Sequence, residues 1–462
     1  MPKRTREGDD GGSSGGEDRS DVPIPGTTGR YLVLLRSEES KAGGKALTNI
    51  AGMRVTSTAD FAEGMIDPEK VGDADAILLQ ELGVAVVNTP PDQIQSLSLA
   101  AAEEGSGILA IEAERVVYAL QDHAISDLPP PMLRHGPVEH SPGSLEYLLG
   151  YRDAINHLVT SIVGDTQMET SQGAALALDE SQYTWGLQST KVTASQYSGR
   201  GIRVAVLDTG MDLQHPDFLG RRIVAQSFIK GEEAQDGHGH GTHCIGTACG
   251  SRQPSTLPRY GIAHNAEIYA GKVLSNQGSG RDGGILQGIE WAIRNRCAVI
   301  SMSLGAPVGT GQTFSRIFER VASRALAAGT VIIAAAGNES ERPGFIAPVG
   351  HPANCPSIMA VGAVDAQGQV ASFSCGGLNP DGGQVDIAAP GVDVYSSWPR
   401  PTLYRRLRGT SMATPHVAGI AALVAEADPD ARGRALLQVL AQTARRLGLP
   451  SRDVGAGFVQ AP

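Results

Sequence analysis

The stretch DGHGHGTHC, residues 236–244, puts three histidines within six positions and ends on a thiol. Side chains of these types do two kinds of chemistry. Neutral imidazoles and a thiolate bind a borderline-soft metal, and an imidazole takes and returns protons. His238, His240, His243 and Cys244 are each competent zinc ligands, yet the glycines between them give no fixed helical presentation and no HExxH pattern is present. A third reading leaves the histidines as turn residues. Two distant motifs decide among the three: VAVLDTG carries Asp208 after an apolar run, and GTSMATPHVAG carries Ser411 at the start of a helix-compatible run. A serine hydroxyl is a weak nucleophile until an imidazole takes its proton, and a carboxylate must hold that imidazole in the right tautomer and stabilise its charged form. Asp208, His240 and Ser411 supply those roles, and the chemistry they point to is acyl transfer.

The three motifs, in the order Asp, His, Ser, resemble the subtilisin-type serine proteases over residues 181–462. The resemblance implies Asp208 as the triad carboxylate, His240 (first in HGTH) as the general base and Ser411 as the nucleophile. Asn338, in AAAGN, would donate to the oxyanion together with the Ser411 N–H at a helix start. Ser303, Leu304 and Gly305, with Ala335, Ala336 and Gly337, would wall the primary specificity pocket above Gly350, and Gly278, Ser279 and Gly280 would pair with an extended substrate. Glu339 matches a pocket-rim position, where an acid either favours basic side chains or is a solvated turn residue. Cys244 resembles the near-histidine cysteine of proteinase K-like relatives, and its ordinary role is a small buried hydrophobe. Asp217, in HPDF, matches a carboxylate that holds calcium in many relatives, but the ligand loop expected after it is replaced by GSRQPSTLPRYG. Calcium is therefore left open, no firm metal ligand set is assigned and no cofactor is required. Pro415 is expected in the first helical turn, where its missing N–H does no harm.

Positioning such groups requires a rigid frame. From Gly201 onward, short β-branched runs (RVAVLD, AEIYAGKVL, CAVISMSLG, GTVIIAAAGN, SIMAVGAV) alternate with helical segments, the pattern of an α/β fold whose parallel sheet is covered on both faces. Functional groups gather at the carboxyl ends of such strands, where Asp208 and Asn338 fall. Residues 29–120 read differently. RYLVLLR, KAGGKALTNIAG, MRVTST, the run near ADAILLQELG, GVAVVNTP, PPDQIQSLSLAAAEE and GILAIEAERVVYAL follow the order strand, helix, strand, strand, helix, strand, a ferredoxin-like α+β unit. Subtilisin relatives carry such a unit as a propeptide that assists folding and then inhibits, which gives 29–120 that expected role. Residues 1–28 read as a disordered tail. Residues 121–180 form a linker: DLPPPMLRHGPVEHSPG holds five prolines, and SLEYLLGYRDAINHLVTSIVGD spaces Leu145, Leu148, Leu149, Ile155, Leu158, Val159 and Ile162 as an amphipathic helix.

Composition narrows the partners. With 49 acidic against 38 basic residues and a net charge of −11, the chain has no broad basic face for nucleic acid. It shows no apolar run long enough for a transmembrane helix and no signal-peptide core. Its five cysteines, an odd number, are expected to stay reduced, so a cytoplasmic place is set against export by a route the sequence does not show. The expected activity is a serine endopeptidase made as a self-processing zymogen, acting as a monomer on protein or peptide substrates and held by its own propeptide. The competing functions are a narrow processing protease activated by a partner and an inactive scaffold; the scaffold predicts loss of a triad or oxyanion group, and none is lost.

Overall fold

The computed structural model describes residues 26–36, 47–48, 52–61, 74–88, 91–101, 107–120 and 178–462. Most of the helix expected in 41–52 and all of the amphipathic helix in 144–165 lie outside them. The chain divides into two compact units, Met1–Val116 with Arg281–Leu286, and Val117–Gly280 with Gln287–Pro462.

The first unit contains β1 (Thr27–Leu35), β2 (Val55–Ser57), β3 (Ala76–Leu79), β4 (Val84–Val87), α1 (Pro91–Ala101) and most of β5 (Ile108–Ala119). β1 runs antiparallel between β4 and β5, and β3 antiparallel to β4. The short β2 joins β3 in parallel as an added edge strand. Alternation sets one face inward: Val33 and Leu35, Ala76 and Leu78, Ala85 and Val87 bury against Ile94 and Leu97 of α1, three residues apart on one helical face.

The second unit contains α2 (Trp185–Ser189), β6 (Arg203–Asp208), β7 (Ile223–Ser227), α3 (His240–Cys249), β8 (Glu267–Lys272), most of β9 (Ser279–Arg281), most of α4 (Asp282–Arg294), β10 (Val299–Met302), β11 (Leu304–Gly305), α5 (Arg316–Ala327), β12 (Val331–Ala335), β13 (Met359–Val364), β14 (Ile387–Pro390), β15 (Val394–Ser397), β16 (Tyr404–Leu407), α6 (Thr410–Ala427), α7 (Arg434–Thr443) and α8 (Ser451–Val454). Its main sheet has the order β14-β13-β12-β10-β6-β8-β7, parallel throughout. The runs VISM, VIIAA and MAVGAV are buried along their whole length because helices cover both faces. From β6 the chain goes outward to β7 and β8 on one side and then returns to β10 on the other. The carboxyl end of β6 is thus a topological switch point, where an open parallel sheet leaves a crevice.

Two helices meet the sheet at that end. α6 is buried from Thr410 to Ala425 and packs on α3 and on β10, β12, β13 and β14. Small residues allow this: a Cβ at Gly419 would stand 2.8 Å from the Ala248 carbonyl oxygen of α3. Pro415 is the sixth residue of α6, past the first turn where it was expected. The helix opens at Thr410, so Pro415 removes an N–H that would have bonded the carbonyl of Ser411, four residues earlier. All five cysteines are free and buried. Among the described residues, no helix is long and apolar enough to cross a membrane.

Candidate active site

Asp208 ends β6 and His240 begins α3; both are fully buried, and His240 Nδ1 lies 2.7 Å from Asp208 Oδ1. The Thr209 amide donates to the same carboxylate oxygen at 2.7 Å, fixing its plane. A second aspartate fixes the histidine. Asp236 accepts from the amides of His238 (3.0 Å), Gly239 (2.8 Å) and Thr242 (2.9 Å) and from the hydroxyls of Thr209 (2.9 Å) and Thr242 (2.7 Å). A carboxylate on the opening amides of α3 both caps the helix and suits its positive end. Gly239 precedes the helix at φ 108°, and a Cβ there would strike the Trp398 ring at 2.3 Å, so only glycine gives this approach.

The imidazole is electrostatically biased. Burial opposes its charged form, but the Asp208 carboxylate, together with Cys244, more than offsets burial and raises the His240 pKa well above 6.5. Its Nε2, away from the carboxylate, has no hydrogen-bond partner among the described residues. The other two histidines of the stretch differ. His243 Nε2 donates to the carbonyls of Val394 and Arg405, both at 3.1 Å, and burial, followed by the His240 charge, depresses its pKa to about 3. His238 sits edge-on to His240 with ring centroids 6.3 Å apart. Asp208, His240 and Cys244 have ligand-type atoms within 4.8 Å of one another. Burial, however, raises the Cys244 thiol pKa, and the Asp208–His240 contact already engages Nδ1.

Ser411 is the second residue of α6, where a helix N–H has no acceptor within the helix. The carbonyl of Ser411, freed by Pro415, accepts from Ser303 Oγ at 2.8 Å and from Cys244 Sγ at 3.6 Å. Cys244 Sγ also stands 3.9 Å from His240 Nδ1, so this thiol packs between the serine and histidine positions. Ser411 Oγ donates to the carbonyl oxygen of Leu120. Asn338 Nδ2 donates to that same oxygen at 2.7 Å. The amide of Asn338 is held the right way round because its Oδ1 accepts from the Thr410 N–H (2.9 Å) and hydroxyl (2.8 Å).

The chain leading to Leu120 lies as an extended strand. Tyr118 pairs with Gly305 and Ala119 with Leu304, antiparallel; the Ala119 amide donates to Gly278 O at 2.8 Å and the Leu120 amide to Ser303 O at 3.3 Å. Ser279 and Gly280, in β9, flank the same strand. A Cβ on Gly305 would come within 3.3 Å of Leu120 Cδ1. Gly350 donates to Ala336 O at 2.9 Å, and Gly337 to Thr410 Oγ1 at 3.2 Å. Ser411 and Asn338 thus meet at one carbonyl group, on a strand that pairs with Gly278 and Ser303–Gly305.

Residues 199–458 match the Subtilase family. The chain belongs to that family. It is 41% identical to Subtilisin DY of Bacillus licheniformis over 263 residues, 57% of this chain and 90% of that protein. It is 42% identical over 269 residues to Subtilisin E of Bacillus subtilis (strain 168), covering 57% of this chain and 66% of that protein. A Subtilisin of Bacillus pumilus is also 42% identical over 269 residues, 92% of its length. This subtilase is a serine-type endopeptidase. Sequence reasoning gave no role to Asp236 or Lys272. The Lys272 ammonium is buried beside the loop that follows Asp208, donating to Thr209 O at 2.5 Å and lying 3.2 Å from Glu232. An acid four residues before His240 in a glycine-rich approach was the available signal for the cap; nothing local marks the lysine.

Proposed function

We propose that Asp208, His240 and Ser411 form the catalytic triad, that Asn338 and the Ser411 N–H form the oxyanion hole, and that the enzyme cuts its own chain after Leu120, releasing residues 29–120 as an inhibitory propeptide. One observation carries the reading: the Leu120 carbonyl oxygen lies between Ser411 Oγ and Asn338 Nδ2 while its strand pairs with Leu304–Gly305.

The chemistry follows from these positions. Turning the Ser411 hydroxyl from the Leu120 oxygen toward the unpartnered His240 Nε2 hands its proton to the base, and Oγ attacks the Leu120 carbonyl carbon. Charge moves onto the carbonyl oxygen, where the Asn338 amide and the Ser411 N–H meet it. Asp208 stabilises the imidazolium. Collapse breaks the bond from Leu120 to Gln121, His240 returns the proton to the departing amine, and water then hydrolyses the acyl-enzyme by the same path. Ala119 and Leu120, bonded to Gly278 and Ser303, would mark where other substrates add as a strand.

Two results test this. Intact-mass and C-terminal analysis of the purified wild-type protein is expected to find a fragment ending at Leu120; fragments ending only elsewhere in 121–180 would remove the assignment of the bond. Asn338→Leu is expected to lower kcat by about 100 to 1,000-fold with little change in KM, the size measured for the corresponding donor in a subtilisin, because that donor is aimed at charge that develops only in the transition state. A rise in KM at constant kcat would make Asn338 a substrate-binding residue instead.

A further inference from the structure

Many subtilases hold calcium through the carboxylate that Asp217 matches. A calcium ion needs six to eight oxygens converging with free lone pairs. The Asp217 carboxylate is buried and does not offer them. Oδ1 accepts from the Ser255 amide and the Ser255 hydroxyl, each at 2.7 Å. Oδ2 accepts from the Tyr260 hydroxyl at 2.6 Å, and the Tyr404 hydroxyl lies 3.1 Å from both oxygens. Four donor hydrogens thus meet a group with about four lone-pair sites. Among the described residues, Asp217 also belongs to no cluster of three or more histidine, cysteine or acidic ligands.

The donors come from an informative place. Ser255 and Tyr260 lie in GSRQPSTLPRYG, residues 250–261, the segment that stands where a ligand loop would be. Tyr404 comes from β16 and stacks on Tyr395, with ring centroids 5.4 Å apart and planes inclined by 20°. His215 closes the cluster from below, accepting the Asp217 amide at Nδ1 (3.2 Å) while Nε2 donates to Leu403 O (2.9 Å).

We propose that Asp217 is a metal-independent clamp, in which hydroxyl and amide hydrogens of Ser255, Tyr260 and Tyr404 replace a calcium ion in tying the 250–261 loop and β16 to the turn at Pro216–Phe218. The hydrogens neutralise the carboxylate's need for partners without any converging oxygens. Removing one of them leaves the buried carboxylate with one donor fewer, whereas removing calcium from the solvent changes nothing at this site.

The test uses the full chain carrying Ser411→Ala, so that proteolysis does not interfere, with the melting temperature read in calcium chloride and in EDTA. The expected result is the same Tm in both, and a fall of about 3–10 °C in both on adding Tyr260→Phe. If Tyr260→Phe does not fold, Ser255→Ala, which deletes one hydroxyl at the surface side of the clamp, gives the same reading with a smaller fall. A Tm that drops on chelation, recovers with calcium and loses this response in Asp217→Asn overturns the proposal, as does a clamp variant with no fall. A chelation effect that persists in Asp217→Asn belongs to another site and supports the clamp.

Discussion

Expressed with Ser411→Ala, the chain is expected to stay a single polypeptide of 462 residues and to hydrolyse peptide substrates about a million-fold more slowly than wild type. That magnitude is the one measured for loss of the nucleophile in a subtilisin, and the geometry here gives reason to carry it over. Ser411 Oγ is the hydroxyl in contact with the Leu120 carbonyl, and the alanine removes the attacking atom while leaving the amide at the head of α6 in place. The proposed oxyanion donors and the strand pairing with Leu304–Gly305 persist, so binding should survive. The variant should therefore retain inhibitor affinity and lose turnover. Gel and mass analysis of the two proteins side by side also tests self-processing. If Ser411→Ala is cut after Leu120 at the wild-type rate, another protease does the cutting, and the self-processing reading fails.

The chemistry of this chain was more legible than its geometry. Long catalytic motifs name residue types in order, and buried β-branched runs announce a parallel sheet, since both signals are local. What is not local was missed. The donors to Asp217 lie 38, 43 and 187 residues away along the chain, so the sequence offered a lone carboxylate where the fold assembles a saturated one. Leu120 read as the end of an apolar strand and the near limit of a cleavage window reaching to Glu180; its contact with Ser411, 291 residues on, depends on strand register that no local pattern encodes. Pro415 was misread for a different reason. Helix starts are poorly marked when the cap is glycine: the helix was expected to open at Ser411, which already puts Pro415 at its fifth residue, and it opens one residue earlier at Thr410. The correction links sequence to site, because the N–H lost at Pro415 frees the Ser411 carbonyl for Ser303 and Cys244.

Asp208→Asn is the substitution that separates charge from shape. It keeps the volume and an oxygen near His240 Nδ1, but it removes the carboxylate that does most to raise the histidine's pKa against burial. Turnover is expected to fall about 10,000-fold, the scale found where a triad aspartate becomes an amide and the wrong tautomer results. The pH profile discriminates further. Only the neutral imidazole accepts the Ser411 proton, so with a raised pKa the wild-type kcat/KM should climb through an acid limb lying above 6.5, the ordinary histidine value. In Asp208→Asn burial still disfavours the imidazolium while the largest influence opposing it, the Asp208 charge, is gone, so the limb should move to lower pH even as the plateau collapses. A variant with the reduced plateau and an unmoved limb would mean that another group, not His240, titrates in the profile. An unmoved plateau would mean that the Asp208–His240 contact holds structure and contributes nothing to proton transfer.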